Sequence, residues 1–216
     1  MQRLADSLLK TSESIAEIGC GHGLLQKQVE DHYHVPVSGF DLNELALKKN
    51  VSRISPLYCY DIYQRHPEFK ARFDRILLFD VLEHIPDETQ FLAAVKFHLK
   101  GSGSLLINVP AHSFFNSDYD LAAGHLRRYS ADQLVRVAEQ CGFKVRALTY
   151  WGLPLVPLLL ARKAIPMQRS NGRAGFDTRT GAINRLLSQV AQWEPLPQLF
   201  LGTSLMAVVE NPSETV

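Results

Sequence analysis

IAEIGCGHGLL, residues 15–25, is the stretch that decides the fold of this chain. It begins with an apolar run that carries one acid, Glu17, and three glycines at alternate positions follow before an amphipathic pattern resumes. This pattern predicts a strand, a tight loop and a helix. Because glycine has no Cβ, a ligand can come close to the backbone N–H groups of such a loop and to the start of the helix. We therefore expect a flat or charged ligand at this loop.

The spacing of the glycines separates two ligand classes. A dinucleotide loop follows the pattern G-x-G-x-x-G, but Leu24 or Gln26 stands at the third glycine in the two possible frames. The pattern acid-x-G-x-G-x-G does fit, with Glu17, Gly19, Gly21 and Gly23. It resembles the first motif of class I S-adenosylmethionine-dependent methyltransferases, with an ordinary glycine-rich turn as the alternative. The resemblance implies that Glu17 serves the methionine end of the cofactor and that the loop, with Cys20 and His22, passes beneath its sugar and sulfonium.

A second acid follows the next predicted strand, residues 35–40. Asp41 lies 18 residues beyond Gly23 at the carboxyl end of that strand, where an acid can accept both hydrogen bonds from a ribose diol. We therefore assign Asp41 and its neighbour Leu42 to the cofactor site. The alternative is an aspartate that only forms a turn or caps a helix, although Asn43 is also placed to cap the following helix.

The third and fourth predicted strands extend the resemblance. The third strand, 57–60, is followed by Asp61 and Ile62. In the methyltransferase family this place holds a residue that bonds the adenine amino group, with an apolar neighbour against the ring. The string FDVLEHIPD, residues 79–87, resembles the segment after the fourth strand in small-molecule methyltransferases, including those that methylate ubiquinone precursors. The cofactor assignments from this segment are Asp80 and Val81.

The remaining pattern predicts an α/β fold with a doubly wound, mostly parallel seven-stranded sheet, the Rossmann-like methyltransferase fold that the resemblance implies. Further apolar runs predict strands at 73–80, 104–109, 143–148 and 202–209. Helix caps are predicted at Asp87 and Ser130, a helix end at Lys100–Gly103, and a short leading helix at Met1–Lys10. We expect one methyltransferase domain, 1–216, with a cap-like helical or loop insertion, 151–199, before the last strand.

Between residues 110 and 129 the periodicity stops, and polar and aromatic side chains accumulate. Long structureless loops at the carboxyl ends of strands tend to form lids or substrate walls. The string GHLRRYSADQL, residues 124–134, resembles a bacterial subgroup of the same methyltransferases. We predict an acceptor site here, formed by Asp120, Arg127, Arg128 and Tyr129. In the alternative, the two arginines pair with Asp118 and Asp120 and only hold the loop in place.

Methyl transfer from a sulfonium is an in-line displacement, and a hydroxyl acceptor also needs a proton removed. A histidine is suited to that task near neutral pH. The candidate bases are His84, His112 and His125, which follow strand ends or lie in the loop. Asp80, Glu83 and His84 offer a second possibility, a divalent metal site like the one that ubiquinone-type enzymes suggest at these positions. We predict that no metal is used.

Composition favours a small-molecule enzyme over a nucleic-acid-binding protein. The formal charge is +1, so no polyanionic partner is indicated, and the three cysteines are too few and too scattered for a disulfide framework. We expect a cytoplasmic protein. We also expect S-adenosylmethionine as its cofactor. We expect methyl transfer, at oxygen, to a small or lipid-like acceptor. The rivals are an NAD-dependent oxidoreductase and a non-catalytic module that keeps the cofactor fold, and the sequence assigns no oligomeric state.

The insertion has two interpretations. An apolar run, 151–161, is too short to cross a membrane and is followed by basic residues. It could give peripheral membrane contact through 151–185, or form a small helical cap over the substrate, which we favour. The basic residues concerned are Arg162, Lys163, Arg169, Arg173, Arg179 and Arg185.

Overall fold

The computed structural model describes residues 14–52, 54–157, 159–160 and 198–212. Its strands are β1 (Ile15–Ile18), β2 (Val37–Asp41), β3 (Leu57–Cys59), β4 (Phe73–Phe79), β5 (Leu99–Pro110), β6 (Lys144–Trp151) and β7 (Ser204–Glu210). Within these residues they form one seven-stranded sheet in the order β3-β2-β1-β4-β5-β7-β6. Strands β1 to β5 run parallel, and β7 is antiparallel to both of its neighbours. The predicted doubly wound, mostly parallel sheet is confirmed.

The helices are α1 (Leu24–Tyr33), α2 (Glu44–Lys48), α3 (Glu88–His98), α4 (Asp118–Ala123) and α5 (Ala131–Gln140). The predicted side-chain caps are present. Asn43 accepts the Ala46 N–H at 3.1 Å at the start of α2, and Asp87 accepts the Gln90 N–H at 2.9 Å at the start of α3. Ser130 forms a capping box with the glutamine at the third position of α5. These caps satisfy N–H groups that a helix start leaves unpaired, so each helix begins where its polar residue stands.

The core lies on both faces of the sheet. In β4, Ile76 and Leu78 point into the larger apolar cluster, whereas Leu77 points into the smaller cluster on the opposite face. All three side chains are almost fully buried. Because successive side chains of a strand point to opposite faces, the part of a strand that is covered on both faces is apolar at consecutive positions. This explains the continuous apolar run that marked β4 in the sequence.

The sheet topology positions the functional site. Strand β1 pairs with β2 on one side and with β4 on the other. The strand order therefore changes direction at β1, and the loops that follow these neighbouring strands separate there. In open α/β sheets, ligands bind in the crevice at the carboxyl ends of the strands at such a point. The glycine loop follows β1 and lies in this crevice.

The boundary between α3 and β5 differs from the prediction. Lys100–Gly103 was expected to end the helix, but α3 ends at His98 and β5 begins at Leu99. Leu99 has an extended backbone, pairs with Phe73 of β4 and is buried in the core. The apolar side chain of Leu99 fits both the helical stripe and the strand, and its pairing in the sheet decides between them.

The segment 110–129 also has more structure than expected. It contains a 3₁₀ turn at Ser113–Phe115 and helix α4. Ser117 and Asp120 form a capping box at the start of α4. The expectation of a structureless loop is therefore wrong for these residues, because a six-residue helix is too short to produce a periodic pattern in the sequence.

Several predictions concern residues outside the described ranges. They are the leading helix Met1–Lys10 and most of the insertion, 151–199, with its basic residues. The cap-like insertion and its membrane contact therefore stay predictions. Among the residues that the structure does describe, none of the helices has the length and apolar character needed to cross a membrane.

Candidate functional site

Several backbone N–H groups of the glycine loop have hydrogen-bond partners within the chain. Gly19 and Cys20 donate to the Phe40 carbonyl at 2.7 and 3.1 Å, and Gly23 donates to the Cys20 carbonyl at 2.8 Å. The Gly21 N–H donates to the Asp41 carboxylate at 2.7 Å. The sequence predicts that these N–H groups approach a ligand, but the structure places those of Gly19, Cys20 and Gly21 in contacts with β2 and that of Gly23 in a contact within the loop. A dinucleotide pyrophosphate needs such N–H groups unoccupied, so this arrangement disfavours the NAD alternative.

The glycines are required for space and for backbone conformation. Gly19 has a φ of +79°, and a Cβ there would lie 2.5 Å from a methyl group of Val81. Gly21 has a φ of +49°, but the nearest atom to a Cβ at that position would be the Asp41 carboxylate, 4.0 Å away. The space beside Gly21 is therefore open, whereas the space beside Gly19 is filled by Val81. A flat ligand fits against Gly21, and a side chain there would fill its place.

Glu17 is a buried acid without a complete set of partners. Its side chain is 4% exposed, and within the described residues its Oε2 atom has no hydrogen-bond partner. Burial raises the pKa of Glu17 to about 8, the Gln26 backbone N–H opposes this rise, and the Asp41 charge adds to it. A buried carboxyl with an unpartnered oxygen favours a cationic group beside it. The amino group at the methionine end of S-adenosylmethionine has that charge.

The acid at the end of β2 holds two loops. Asp41 accepts the Gly21 N–H through Oδ2 and the Asn43 N–H through Oδ1, both at 2.7 Å. Each carboxylate oxygen retains a lone pair that can accept from a ribose hydroxyl. The neighbouring predicted residues Leu42 and His22 are exposed at the same edge. Cys20 is buried instead, and burial, followed by the charges of Glu17 and Asp41, raises the pKa of its thiol to about 12.

The residues after β3 have different surroundings from those predicted. Asp61 is partly exposed and accepts the Tyr63 N–H at 2.9 Å, so it caps a short 3₁₀ turn. Ile62 is only 5% exposed and packs in the larger core cluster. The assignment of Ile62 to the adenine face is therefore corrected, because its side chain points into the core of the domain. The carboxylate of Asp61 still lies at the carboxyl edge.

Asp80 is oriented by a chain of hydrogen bonds that the sequence did not reveal. It has a φ of +54°, and its Oδ1 accepts from the Asn108 amide at 2.9 Å. The Asn108 amide oxygen accepts from the Trp151 indole N–H at 2.7 Å. This second bond requires the amide NH₂ to face Asp80. Asn108 and Trp151 are therefore supporting residues of the site, and no local motif could have identified them.

A second group of polar side chains converges next to Asp80. One ligand atom from each of Glu83, His84 and His125 lies within 4.8 Å of the other two. The rings of the two histidines meet edge to face, with their centroids 4.9 Å apart. His84 Nδ1 lies 3.1 Å from the Gly124 carbonyl, and His125 Nδ1 lies 3.0 Å from Asp120 Oδ1. If both Nδ1 atoms carry the proton, both Nε2 atoms are acceptors.

Glu83 completes this group as a buried acid. Its side chain is fully buried, and neither carboxyl oxygen has a hydrogen-bond partner among the described residues. Burial, with a smaller contribution from the Asp80 charge, raises the pKa of Glu83 to about 8. The atoms of Glu83, His84 and His125 have the donor types and proximity that a divalent cation needs. The sequence suggested Asp80, Glu83 and His84 as metal ligands. In the structure His125 takes the place of Asp80 in this group.

The raised pKa of Glu83 predicts how folding stability depends on pH. In the folded chain Glu83 stays protonated up to a pH of about 8, whereas in the unfolded chain it ionises near its ordinary value of 4.5. The unfolded chain therefore binds fewer protons between these values, and stability falls as pH rises. We expect Glu83→Gln to reduce the loss of melting temperature between pH 5 and pH 8 by about 6–12 °C, equivalent to about 3 kcal/mol.

Thermal unfolding monitored by circular dichroism at both pH values measures this effect. The matched control is Glu139→Gln, because Glu139 is an exposed glutamate. The control should leave the difference between the two pH values unchanged. An equal change in both variants would show that burial of Glu83 has no special effect on stability.

Three predicted acceptor-binding residues have structural partners instead. Arg128 is buried and donates to Asp120 through Nε at 2.9 Å and Nη2 at 2.7 Å. Arg127 forms an ion pair with Glu88 and donates to the Pro86 carbonyl at 3.2 Å. The Tyr129 ring is buried, and its hydroxyl donates to Glu88 at 2.6 Å and lies 3.1 Å from the Leu82 carbonyl.

These contacts correct the acceptor-site prediction for Arg127, Arg128 and Tyr129, because their polar groups hold the segment in place. The alternative, in which the arginines only hold the loop in place, describes them better, although Arg127 pairs with Glu88 and not with Asp118. Asp120 is likewise buried under Arg128. Its carboxylate is connected to the site by the contact with His125.

His112 is separated from this group by its contacts. Its ring stacks on Tyr150 with a centroid distance of 4.6 Å, and its Nε2 atom is buried without a partner among the described residues. Its backbone φ is +57°. Burial and the Arg128 charge lower the pKa of His112, so protonation is opposed. Of the three predicted bases, the structure brings His84 and His125 together and leaves His112 apart.

Comparison with known proteins agrees with the fold and with the family resemblance. The sequence model of the family described as "Methyltransferase domain" matches residues 1–148. A probable S-adenosylmethionine-dependent methyltransferase of Mycobacterium tuberculosis is 28% identical over 148 residues, which cover 66% of this chain and 52% of that protein. A ubiquinone biosynthesis O-methyltransferase of Idiomarina loihiensis is 29% identical over 104 residues, 44% of this chain and 42% of that protein. The chain thus spans about half the length of these relatives.

Solved structures agree on the fold. A SAM-dependent methyltransferase from Archaeoglobus fulgidus superposes with a TM-score of 0.64 at 15% identity, covering 97% of this chain and 90% of that chain. At this identity the likeness concerns the fold alone, and the family match carries the assignment. The sequence resemblance is confirmed, and the NAD-dependent alternative is not favoured. The chain belongs to the methyltransferase domain family, with the fold and the S-adenosylmethionine cofactor of the class I enzymes.

Proposed function

We propose that this domain transfers a methyl group from S-adenosylmethionine to a hydroxyl group of a small or lipid-like acceptor. The observation that carries the proposal is the open space at the Cβ position of Gly21, beside the Asp41 carboxylate, together with the unpartnered Oε2 atom of Glu17. These features match two parts of the cofactor that must be held, its amino group and its ribose. Glu17 faces a cation, Gly21 leaves room for the sugar, and Asp41 accepts from a ribose diol.

The residues of the chain mainly orient the two reactants and keep water away. S-adenosylmethionine supplies a methyl group on a positively charged sulfur, so little covalent chemistry is left for the protein. Asp41 and Gly21 hold the ribose end, while Val81 supports the loop at Gly19. Asp80, oriented by Asn108, borders the space where the acceptor meets the methyl group.

The second polar group supports a hydroxyl acceptor. Glu83, His84 and His125 present atoms that can accept hydrogen bonds. The hydroxyl group of a methyl acceptor can donate a hydrogen bond to such atoms. An anionic acceptor would need a cation, and in the part of this segment that the structure describes, Arg127 and Arg128 are both used by carboxylates of the chain. The name of the Idiomarina loihiensis relative, an O-methyltransferase, also supports transfer to oxygen. The acceptor end is therefore uncharged in our proposal.

Two measurements test the proposal. Calorimetry with S-adenosylhomocysteine and with NADH should detect binding of the first only. Incubation with S-adenosylmethionine that carries a labelled methyl group, followed by mass spectrometry, should show transfer to hydroxyl compounds and none to carboxylates or phosphates. Binding without transfer to any acceptor would favour the non-catalytic module. Binding of NADH alone would contradict the cofactor assignment.

The state of Glu17 gives a separate prediction. With a pKa of about 8, Glu17 is mostly protonated at pH 7 in the free protein. A cationic amino group beside it favours the ionised form, so binding should release about one proton per site at pH 7 and less at pH 9. Calorimetry in two buffers of different ionisation enthalpy counts these protons.

Glu17→Gln is the control for this prediction, because glutamine keeps the size of the side chain and cannot ionise. The variant should bind S-adenosylhomocysteine more weakly and release no proton. If proton release is the same in Glu17→Gln, Glu17 does not face the amino group of the cofactor.

A further inference from the structure

We propose that His125 is the base that takes the acceptor proton and that Asp120 is the residue that positions it. This inference rests on the proposed function and assigns one base where the sequence left three candidates. It depends on the contacts of the Asp120 carboxylate, which connects α4 to the segment that carries His125 and Arg128.

The Asp120 carboxylate is held by several donors at once. Its Oδ2 accepts from the Ser117 N–H at 2.9 Å and from the Ser117 hydroxyl at 3.0 Å. Its Oδ1 accepts from Arg128 at 2.9 and 2.7 Å and lies 3.0 Å from His125 Nδ1. Burial favours the neutral acid, but the bonds from Arg128, Ser117 and His125 prevail and lower the pKa of Asp120 below its usual value. Asp120 is therefore an ionised acceptor.

An ionised acceptor at Nδ1 determines the tautomer of His125. Nδ1 must carry the proton that Asp120 accepts, so Nε2 has a lone pair. This Nε2 atom lies 3.9 Å from Glu83 Oε1 and thus points into the polar group. The Asp120 backbone carbonyl also accepts the His125 N–H at 2.9 Å, so both the ring and its backbone are anchored to the same residue.

Within the described ranges, neither of the other two candidate histidines has a carboxylate bonded to its Nδ1 atom. His84 is held by the neutral Gly124 carbonyl, and His112 stacks on Tyr150 with the Arg128 charge opposing its protonation. A base must accept a positive charge during the reaction, and a carboxylate at Nδ1 stabilises that charge. The ionisable groups that face His125 are Glu83, His84, Asp80 and Asp120, with Arg128 behind Asp120.

The proton, the bond that forms and the bond that breaks during methyl transfer can all be accounted for with these residues. His125 Nε2 takes the hydroxyl proton of the acceptor while the acceptor oxygen forms a bond to the methyl carbon. The carbon–sulfur bond breaks, and its electron pair stays on sulfur, which becomes a neutral thioether. The imidazolium of His125, stabilised by Asp120, then passes its proton to water.

Nuclear magnetic resonance tests the positioning without an acceptor. The ¹⁵N shifts of the His125 ring should show Nδ1 protonated and Nε2 unprotonated in the neutral form. In Asp120→Asn the fraction of neutral His125 that carries its proton on Nδ1 should fall, because the carboxylate that accepts from Nδ1 is lost. Asp118→Asn is the matched control, because Asp118 is exposed on the same helix, and it should leave the His125 tautomer unchanged. An unchanged tautomer in Asp120→Asn would overturn the positioning role.

Methyl transfer to a hydroxyl compound identified by the labelling assay tests the base. His125→Ala and Asp120→Asn should each lower kcat about 100- to 10,000-fold with little change in KM or in S-adenosylhomocysteine affinity. The double variant should lose no more than His125→Ala does. If Asp120→Asn fails to fold, His125→Ala and the ring shifts of the unaltered protein decide the question alone.

Two results would overturn the assignment of His125 as base. One is transfer by His125→Ala within tenfold of the unaltered protein. The other is loss of transfer on chelation with recovery on addition of Mn²⁺, which would make His125 a metal ligand together with Glu83 and His84. Failure of the proposed function is distinguishable, because the unaltered protein would then bind no S-adenosylhomocysteine or transfer no methyl group.

Discussion

Replacing Gly21 by valine should abolish binding of S-adenosylhomocysteine while the chain remains folded. The reason is spatial, since a Cβ at Gly21 meets no protein atom closer than the Asp41 carboxylate at 4.0 Å. A valine side chain would occupy the space that we assign to the cofactor. We expect the Kd to rise by more than about 100-fold, equivalent to about 2.7 kcal/mol. Calorimetry measures the affinity, and the melting temperature reports whether the variant is folded.

The backbone at Gly21 requires a second variant, because its φ of +49° also strains a β-branched residue. Asparagine adopts such a φ more readily, so Gly21→Asn keeps the bulk with less strain. Both variants should lose binding. Gly101→Val is the control and should keep binding, because Gly101 lies near the start of β5, not in the glycine loop, and a Cβ there has nothing within 4 Å. Near-normal affinity in a folded Gly21→Asn variant would show that the cofactor lies elsewhere.

Asp41→Ala should weaken cofactor binding by about 1.5–3 kcal/mol, which corresponds to a rise in Kd of roughly 10- to 150-fold. The alanine variant loses the acceptor for the ribose hydroxyls and also the bond that holds the Gly21 N–H. Asp41→Asn keeps one acceptor oxygen, so it should recover part of the affinity. Calorimetry with S-adenosylhomocysteine measures both variants.

The matched control for Asp41 is Asp74→Ala. Asp74 lies near the amino end of β4, at the opposite edge of the sheet, and accepts hydrogen bonds from Ser14 and Lys100. Its loss should lower the melting temperature and leave the cofactor affinity unchanged. If Asp41→Ala binds as tightly as the unaltered protein, Asp41 only holds the turn and the ribose assignment fails.

Local sequence signals predicted the strand, the glycine loop and the helix caps around the candidate cofactor site. The glycine spacing after β1, the acid after β2 and the side-chain caps at Asn43 and Asp87 all involve residues within a few positions of one another. Such features depend on backbone conformation and on one short hydrogen bond, so the residue type itself carries the information. The positions of the strands followed from their apolar runs, and the doubly wound sheet followed from these runs together with the family resemblance.

The same local signals failed where one side chain suits two environments. Ile62 was expected against the adenine ring, but an isoleucine after a strand fits a core position equally well. Ile62 packs in the core. Leu99 was expected in the helical stripe and lies at the start of β5. In both cases hydrophobicity is read correctly from the sequence, and the packing partner is not.

The sequence by itself determined the fold class, the glycine loop and the acids along the carboxyl edge, because periodicity and spacing are local properties of the chain. Only the tertiary structure decided that Arg127 pairs with Glu88, that Arg128 pairs with Asp120, and that His125 meets Glu83. Glu83 and His125 come from segments that follow different strands and are separated by helix α3 and strand β5. Long-range partners of polar side chains leave no periodic trace in the sequence, so their roles emerge only when the fold brings these segments together.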